Sequence, residues 1–187
     1  YTFSSNTGYK PLTTYTDAGT YTIDVSDSWG DGGITLDAYY TSAQSGVTGP
    51  VISGNDVSMS PGSTVIATTG ILVEDCTGTA INMADNFVAM PTDAIVADGC
   101  DFFDENSELI GGDQASTSGV VSTNGDSVTL SGTTISGFDT GVESDAGTLS
   151  IIDNATIAGV SEGVWAYDTQ LLINYAELDG GTSGVGL

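Results

Sequence analysis

The chain has 187 residues, of which 25 are acidic and one is Lys, with no Arg and no His, so its formal net charge at pH 7 is −24. This balance argues against nucleic-acid binding and against a polybasic membrane-surface module, since both rely on Lys and Arg. Without His, and with only two Cys, the chain also lacks the residues of the common zinc sites and of His-based nucleophilic catalysis. No apolar run approaches the roughly 18–20 residues of a transmembrane helix. The chain begins at Tyr1 rather than Met, which we interpret as a mature or excised piece of a longer protein.

Residues 1–45 differ from the rest of the chain because Tyr and Thr cluster there. Polar and apolar residues alternate over residues 20–25 and again over residues 34–39, as in half-buried β-strands. The intervening residues 26–33, Ser-Asp-Ser-Trp-Gly-Asp-Gly-Gly, form a Gly/Asp loop suited to a hairpin. We therefore predict a small β-module over residues 1–45, followed by a short Pro-containing linker.

From about residue 46 onward, a small residue followed by Val or Ile recurs every 21 to 25 residues. The Val and Ile members of this first column are Val47, Ile71, Ile95, Val120, Val142, Val164 and Val185. Two further apolar columns keep register with it. The second column, seven residues earlier, contains Val88, Ile135, Ile157 and Leu178; the third, twelve residues earlier, contains Met59, Met83, Leu130, Ile152 and Ile173. A register that holds in several columns indicates a solenoid repeat.

The coil that ends at Val120 departs from this pattern, because Glu108 and Asp113 fall where the other coils have apolar residues. An insertion of one residue between about Asp104 and Gly112 would bring Leu109 into the apolar column expected twelve residues before Val120. This expectation fits the length of the coil, 25 residues, which is the longest spacing in the repeat.

Three short strands per repeat, with apolar residues facing inward and Gly, Asn and Asp at the corners, predict an all-β fold. The expected architecture is a right-handed parallel β-helix of about six to seven coils over residues 46–187, continuing beyond this segment. The repeat resembles the right-handed β-helix superfamily, the fold of pectin lyases and of many surface adhesins. The segment Gly19 to Gly33, which contains Asp-Ser-Trp-Gly-Asp-Gly, also resembles a repeat found in secreted prokaryotic surface proteins. These resemblances imply a fold and an extracellular or cell-surface location, but they do not imply an activity.

The composition disfavours an enzyme. Uronate lyases of this fold neutralise the substrate carboxylate with Arg or Lys, whereas this chain has no Arg and its only Lys, Lys10, precedes the coils. A glycosidase needs only two carboxylates about 5–10 Å apart, and stacking the coils places Glu74 over Asp98 in an outward column. We interpret that pair as a cation site or a solvated face. The prediction is a non-catalytic protein, with a polysaccharide-binding or polysaccharide-degrading β-helix protein as the alternative.

Asp24, Asp27 and Asp31 bracket the Gly-rich loop of the N-terminal module. Calcium prefers clustered carboxylate and carbonyl oxygens, so one hypothesis is a Ca²⁺ site on this loop. The alternative is a plain hairpin loop in which the Asp side chains cap their own backbone. The sequence leaves both alternatives open and implies no other cofactor.

Cys76 and Cys100 each follow a member of the first column, Ile71 and Ile95, by five residues. They therefore occupy equivalent positions in adjacent coils, about 4.8 Å apart, which lies in the range that a disulfide requires. We predict a Cys76–Cys100 disulfide, and two stacked free thiols are the alternative.

Alternation along the strand after Gly163 sends Trp165 and Tyr167 outward, beside Glu143 and Asp145 of the preceding coil. Two aromatic rings beside two acids suit a sugar ligand. The same outward strand carries apolar residues in earlier coils, namely Leu72, Val96 and Val121. A stripe of this length suits a protein partner better than one sugar ring, so protein contact is the favoured hypothesis. A third alternative is that a loop or the N-terminal module covers the stripe.

The sequence thus predicts a secreted or cell-surface structural or adhesive protein, such as a stalk, a surface-layer component or a filament component. The expected partners are other copies of the chain, other surface proteins or a polysaccharide. We expect no nucleic-acid partner and no membrane insertion of this segment.

Overall fold

The structure is a computed structural model that describes residues 34–37, 51–58, 68–74, 76, 80–89 and 91–186. These residues form 14 β-strands and no helix. The strands are β1 (Ile34–Asp37), β2 (Val51–Ser53), β3 (Asp56–Ser58), β4 (Thr69–Glu74), β5 (Ile81–Ala84), β6 (Phe87–Ala89), β7 (Asp93–Asp98), β8 (Phe102–Glu105), β9 (Glu108–Thr123), β10 (Ser127–Ser131), β11 (Thr134–Ile152), β12 (Thr156–Asn174), β13 (Glu177–Gly180) and β14 (Ser183–Gly186).

The described strands pair only in parallel, and they stack into a β-solenoid of about five turns. This confirms the predicted all-β parallel β-helix, with somewhat fewer turns than the six to seven that the repeat suggested. Strands β9, β11 and β12 have 16, 19 and 19 residues. They run around the corners of the solenoid, so each of them contributes to more than one of its faces.

The first column is confirmed. Its members Ile71, Ile95, Val120, Val142, Val164 and Val185 are successive Cα partners in adjacent turns. The first five of these side chains have no solvent exposure. They form the centre of the hydrophobic core.

The first turn uses other residues than the repeat predicted. Ile34 occupies the place expected for Val47 in the first column, and Ile52 occupies the place expected for Met59 in the third. Both Val47 and Met59 lie outside the described residues. The domain boundary expected after residue 45 stays a prediction.

The second column is confirmed at all four predicted positions, and Leu109 joins it between Val88 and Ile135. The expected one-residue insertion, which put Leu109 in the third column, is therefore wrong. Eleven residues separate Leu109 from Val120, whereas seven separate Ile135 from Val142. The extra residues are accommodated after residue 110, where the register between β9 and β11 shifts.

The third column contains Ile151, which pairs with Leu130 and Ile173, and not the predicted Ile152. Ile151 is fully buried, whereas Ile152 is half-buried. The physical reason is a longer corner: residues 153 and 154 both have positive φ, 55° and 66°. Other corners between the third and second columns have a single residue of this kind, so the two columns are six residues apart here and five apart in the other turns.

A carboxylate also lies in the third column. Asp104 is fully buried between Met83 and Leu130. The hydroxyl groups of Ser107 and Thr133 donate hydrogen bonds of 2.6 Å to its Oδ1 and Oδ2 atoms. Burial raises the pKa of Asp104 above its ordinary value, and these hydrogen bonds offset only part of the rise.

The small residue before each Val or Ile has a steric cause. A Cβ atom at Gly141 would lie 2.4 Å from Cγ2 of Ile157, and one at Gly119 would lie 2.3 Å from Cγ2 of Ile135. Both contacts are far shorter than van der Waals distance. The backbone of the first column therefore passes directly against the side chains of the second, and Gly permits this approach.

Cys76 and Cys100 form the predicted disulfide, with a Cα–Cα distance of 4.9 Å. Cys100 is fully buried and Cys76 partly so. The bond joins two adjacent turns near the start of the solenoid, at the corner between the first and third columns.

Candidate functional site

The outer face of β12 carries the two aromatic residues that the sequence placed there. Val164 and Ala166 point into the core, with exposures of 0% and 5%. Trp165 is half-buried, and Tyr167 is 62% exposed. Their ring centroids lie 6.2 Å apart and their planes differ by 14°. The strand thus presents two nearly parallel rings to the outside.

The four predicted contact residues come together on this face. Glu143 is the Cα partner of Trp165, and Asp145 is the Cα partner of Tyr167, both on β11. Asp145 is exposed and Glu143 is half-buried. Each aromatic residue therefore has a carboxylate residue on the adjacent rung.

A second acidic group lies beside Glu143 and was not predicted. The Ser118 hydroxyl donates to Oε2 of Glu143 at 3.4 Å, and the Ser118 amide donates to Oδ1 of Asp93 at 3.2 Å. Burial raises the pKa of Asp93; the Ser118 amide lowers it, and the charge of Glu143 raises it further. Ser118, in β9, thus links the carboxylate of Asp93 in the preceding turn to that of Glu143 in the following turn.

The pKa of Asp139, near the same face, is shifted in the opposite direction from that of Asp93. It accepts a hydrogen bond from the Ser161 hydroxyl and another, 3.0 Å long, from the Ser116 amide. These bonds lower the pKa of Asp139, the Ser161 bond most of all. Its carboxylate is therefore held in the charged form.

The exposed large apolar residues are concentrated at one end of the described solenoid. They are Val51, Val160, Tyr167, Leu172, Ile173 and Tyr175. All but Val51 lie between residues 160 and 175. Tyr167 belongs to the outer face of β12, and we call the other four residues, Val160, Leu172, Ile173 and Tyr175, the last-turn surface. By contrast, Leu72, Val96 and Val121, the earlier members of the predicted outward stripe, are half-buried.

The corner near the disulfide contains a second buried acid. Asp126 is 3% exposed, and its Oδ2 atom has no hydrogen-bond partner. Burial raises its pKa to about 7; the Cys100 amide opposes this rise, and the charges of Asp101 and Asp98 add to it. No sequence pattern indicates that this group is buried, because its burial depends on the turns above and below.

The outward pair Glu74 and Asp98 stacks as predicted. Asp98 accepts hydrogen bonds from the Thr123 hydroxyl, at 3.2 Å, and from the Asn124 side-chain amide. No group of three or more Cys, Asp or Glu residues within the described part of the chain is placed to hold a metal ion. The calcium hypothesis concerns Asp24, Asp27 and Asp31, which lie outside the described residues.

Fold and surface together define the class of this protein: a parallel β-solenoid with an acidic outer face and an aromatic and apolar last turn. No protein-family model, curated protein or solved structure matches the chain. No helix long and apolar enough to cross a membrane occurs among the described residues.

Proposed function

We propose that this chain is a non-catalytic structural or adhesive protein that is secreted or displayed at the cell surface. In this proposal the solenoid is a rigid element of a stalk, a surface layer or a filament. The parallel β-helix supports it, and the likeness to secreted β-helix proteins and surface adhesins rests on that fold alone. The disulfide is consistent with an oxidising, extracellular environment.

The last-turn surface carries the proposal. Exposed apolar patches commonly mark contact sites, and Tyr175, Leu172 and Val160 are 81%, 55% and 50% exposed. Strands β13 and β14 pair only with β12 among the described strands.

The proposed partners are other copies of the chain, other surface proteins or a polysaccharide. A charge of −24 opposes self-association in dilute buffer, and salt screens this repulsion. A Ca²⁺ ion bound by Asp24, Asp27 and Asp31 remains part of the proposal, and would reduce the same repulsion.

Sedimentation velocity in high salt, over a range of protein concentrations, tests the contact role. We expect assemblies that grow with concentration, and that dissociate to monomers in the double variant Leu172→Ser with Tyr175→Ser. The matched pair Val160→Ser and Val51→Ser separates the last turn from the first, and only Val160→Ser should weaken assembly. A chain that stays monomeric at every concentration would overturn this contact role.

The alternative function is polysaccharide degradation, and the pair Asp93 and Glu143 favours it. Glycosidases use a pair of carboxylates, and Ser118 bridges these two, with its hydroxyl donating to Glu143 and its amide donating to Asp93. A reducing-end assay on soluble polysaccharides decides between the two functions. Product that disappears in Glu143→Gln and in Asp93→Asn would replace the structural proposal with an enzymatic one.

A further inference from the structure

We infer that Trp165 and Tyr167, together with Glu143 and Asp145, form a binding subsite for a neutral polysaccharide on the outer face of β12. This inference rests on the proposed adhesive function and names its ligand. It concerns the lateral face of the turn, whereas Leu172 and Tyr175 lie past the next corner.

The ring geometry suits stacking against a sugar. The apolar face of a pyranose ring packs on an aromatic ring, and Tyr and Trp add a polar group at the rim. Trp165 and Tyr167 stand two residues apart on one strand, with nearly parallel planes and centroids 6.2 Å apart. The strand backbone, paired with β11 along this whole stretch, holds both in place.

The residues on the neighbouring rungs favour a sugar over a protein. A protein partner would need about 800 Å² on each side, which a continuous apolar stripe across several turns could supply. Glu143 stands on the rung between Val121 and Trp165, and its carboxylate interrupts such a stripe. The aromatic pair is therefore confined to one rung.

The charges around the rings select a neutral glycan. Asp145 and Asp168 are exposed beside Tyr167, and the described residues include no Lys, Arg or His. Ionised carboxylates accept hydrogen bonds from sugar hydroxyl groups. They repel the carboxylate or sulfate groups of anionic polysaccharides, so uronates and sulfated glycans should not bind.

Affinity electrophoresis at low protein concentration, where the chain is monomeric, tests the subsite. The probes are three neutral polysaccharides (hydroxyethyl cellulose, a mannan and a galactan) and one anionic polysaccharide, polygalacturonate. We expect at least one neutral probe to retard the wild-type chain and polygalacturonate to have no effect. Tyr167→Ala should weaken that binding at least tenfold, and Tyr167→Phe should retain it.

Tyr175→Ala is the matched control, because it removes an exposed Tyr from the same turn but not from this face. It should leave glycan binding within twofold of wild type, with an unchanged melting temperature. Equal losses in Tyr167→Ala and Tyr175→Ala, retardation by polygalacturonate, or no retardation by any neutral probe would each overturn the inference. The assembly measured by sedimentation is independent of these outcomes, so the proposed function can stand if the subsite fails.

Discussion

Ile151 and Ile173 are Cα partners in one column, yet the first is fully buried and the second is 38% exposed. The second column repeats the contrast, since Ile157 is fully buried and Leu178 only partly so. Ile151 has a described rung on each side, and Ile173 has one on one side only. At this end of the described solenoid, a neighbouring turn on the second side thus completes the burial of these two columns.

The largest expected effect is the difference between Ile151→Ala and Ile173→Ala. Truncating a fully buried Ile costs about 2–5 kcal/mol, since apolar contacts are lost and a cavity remains. We expect Ile151→Ala to fall in that range and Ile173→Ala to cost less than half as much. Urea denaturation measures both. Equal costs would show that the last turn is packed as tightly as the interior.

Loss of the Cys76–Cys100 disulfide should have the next largest effect, about 2–4 kcal/mol, because the bond restricts the unfolded chain. Urea denaturation with and without reductant measures it. The double variant Cys76→Ser with Cys100→Ser is the control and should not respond to reductant. The bond lies far from the last turn, so its loss should leave the cost of Ile173→Ala unchanged. A wild-type chain that is insensitive to reductant would contradict the structure at this corner.

A pH dependence of stability is expected from Asp126, an interior acid with no equivalent in the last turn. Its pKa is about 7 in the folded protein against an ordinary value of 3.8. Folding therefore favours the protonated form. The stabilisation is complete below about pH 4 and is lost as the pH rises to about 7.

The melting temperature should accordingly fall by several degrees between pH 4 and pH 7. Asp126→Asn should flatten this fall, since an amide stays neutral. Asp139→Asn is the control: the pKa of Asp139 is lowered, so its contribution is lost only as the pH falls below its ordinary value. If the melting temperature of Asp126→Asn fell as much as that of the wild type, acids other than Asp126 would be responsible for the pH dependence.

The sequence predicted the parts of the fold that depend on constant spacing. The corner between the second and first columns has one length in most turns, so Ile135 and Ile157 were found from Val142 and Val164. Ile151 was missed because a single extra residue in the next corner changes the offset. Asp104 was missed because its burial depends on a hydroxyl group 29 residues away, on Thr133.

In the candidate site, too, the features that depend on spacing were predicted and those that depend on contacts between turns were not. Alternation along one strand and register with the next were enough to group Trp165 and Tyr167 with two acids. The link from Glu143 through Ser118 to Asp93 spans two turns and depends on side-chain reach, which no spacing encodes. The degree to which Leu72, Val96 and Val121 of the outward stripe are exposed also depends on three-dimensional packing, which alternation along a strand does not encode.

Hydrogen exchange with mass-spectrometric detection tests most directly whether neighbouring turns supply the stability of each turn. Residues 142–144 in β11 pair with both β9 and β12, whereas residues 177–179 in β13 pair only with β12 among the described strands. We expect the amides of residues 142–144 to exchange at least about tenfold more slowly than those of residues 177–179. Equal protection in the two segments, or slower exchange in β13, would contradict a solenoid whose last turn is open for contact.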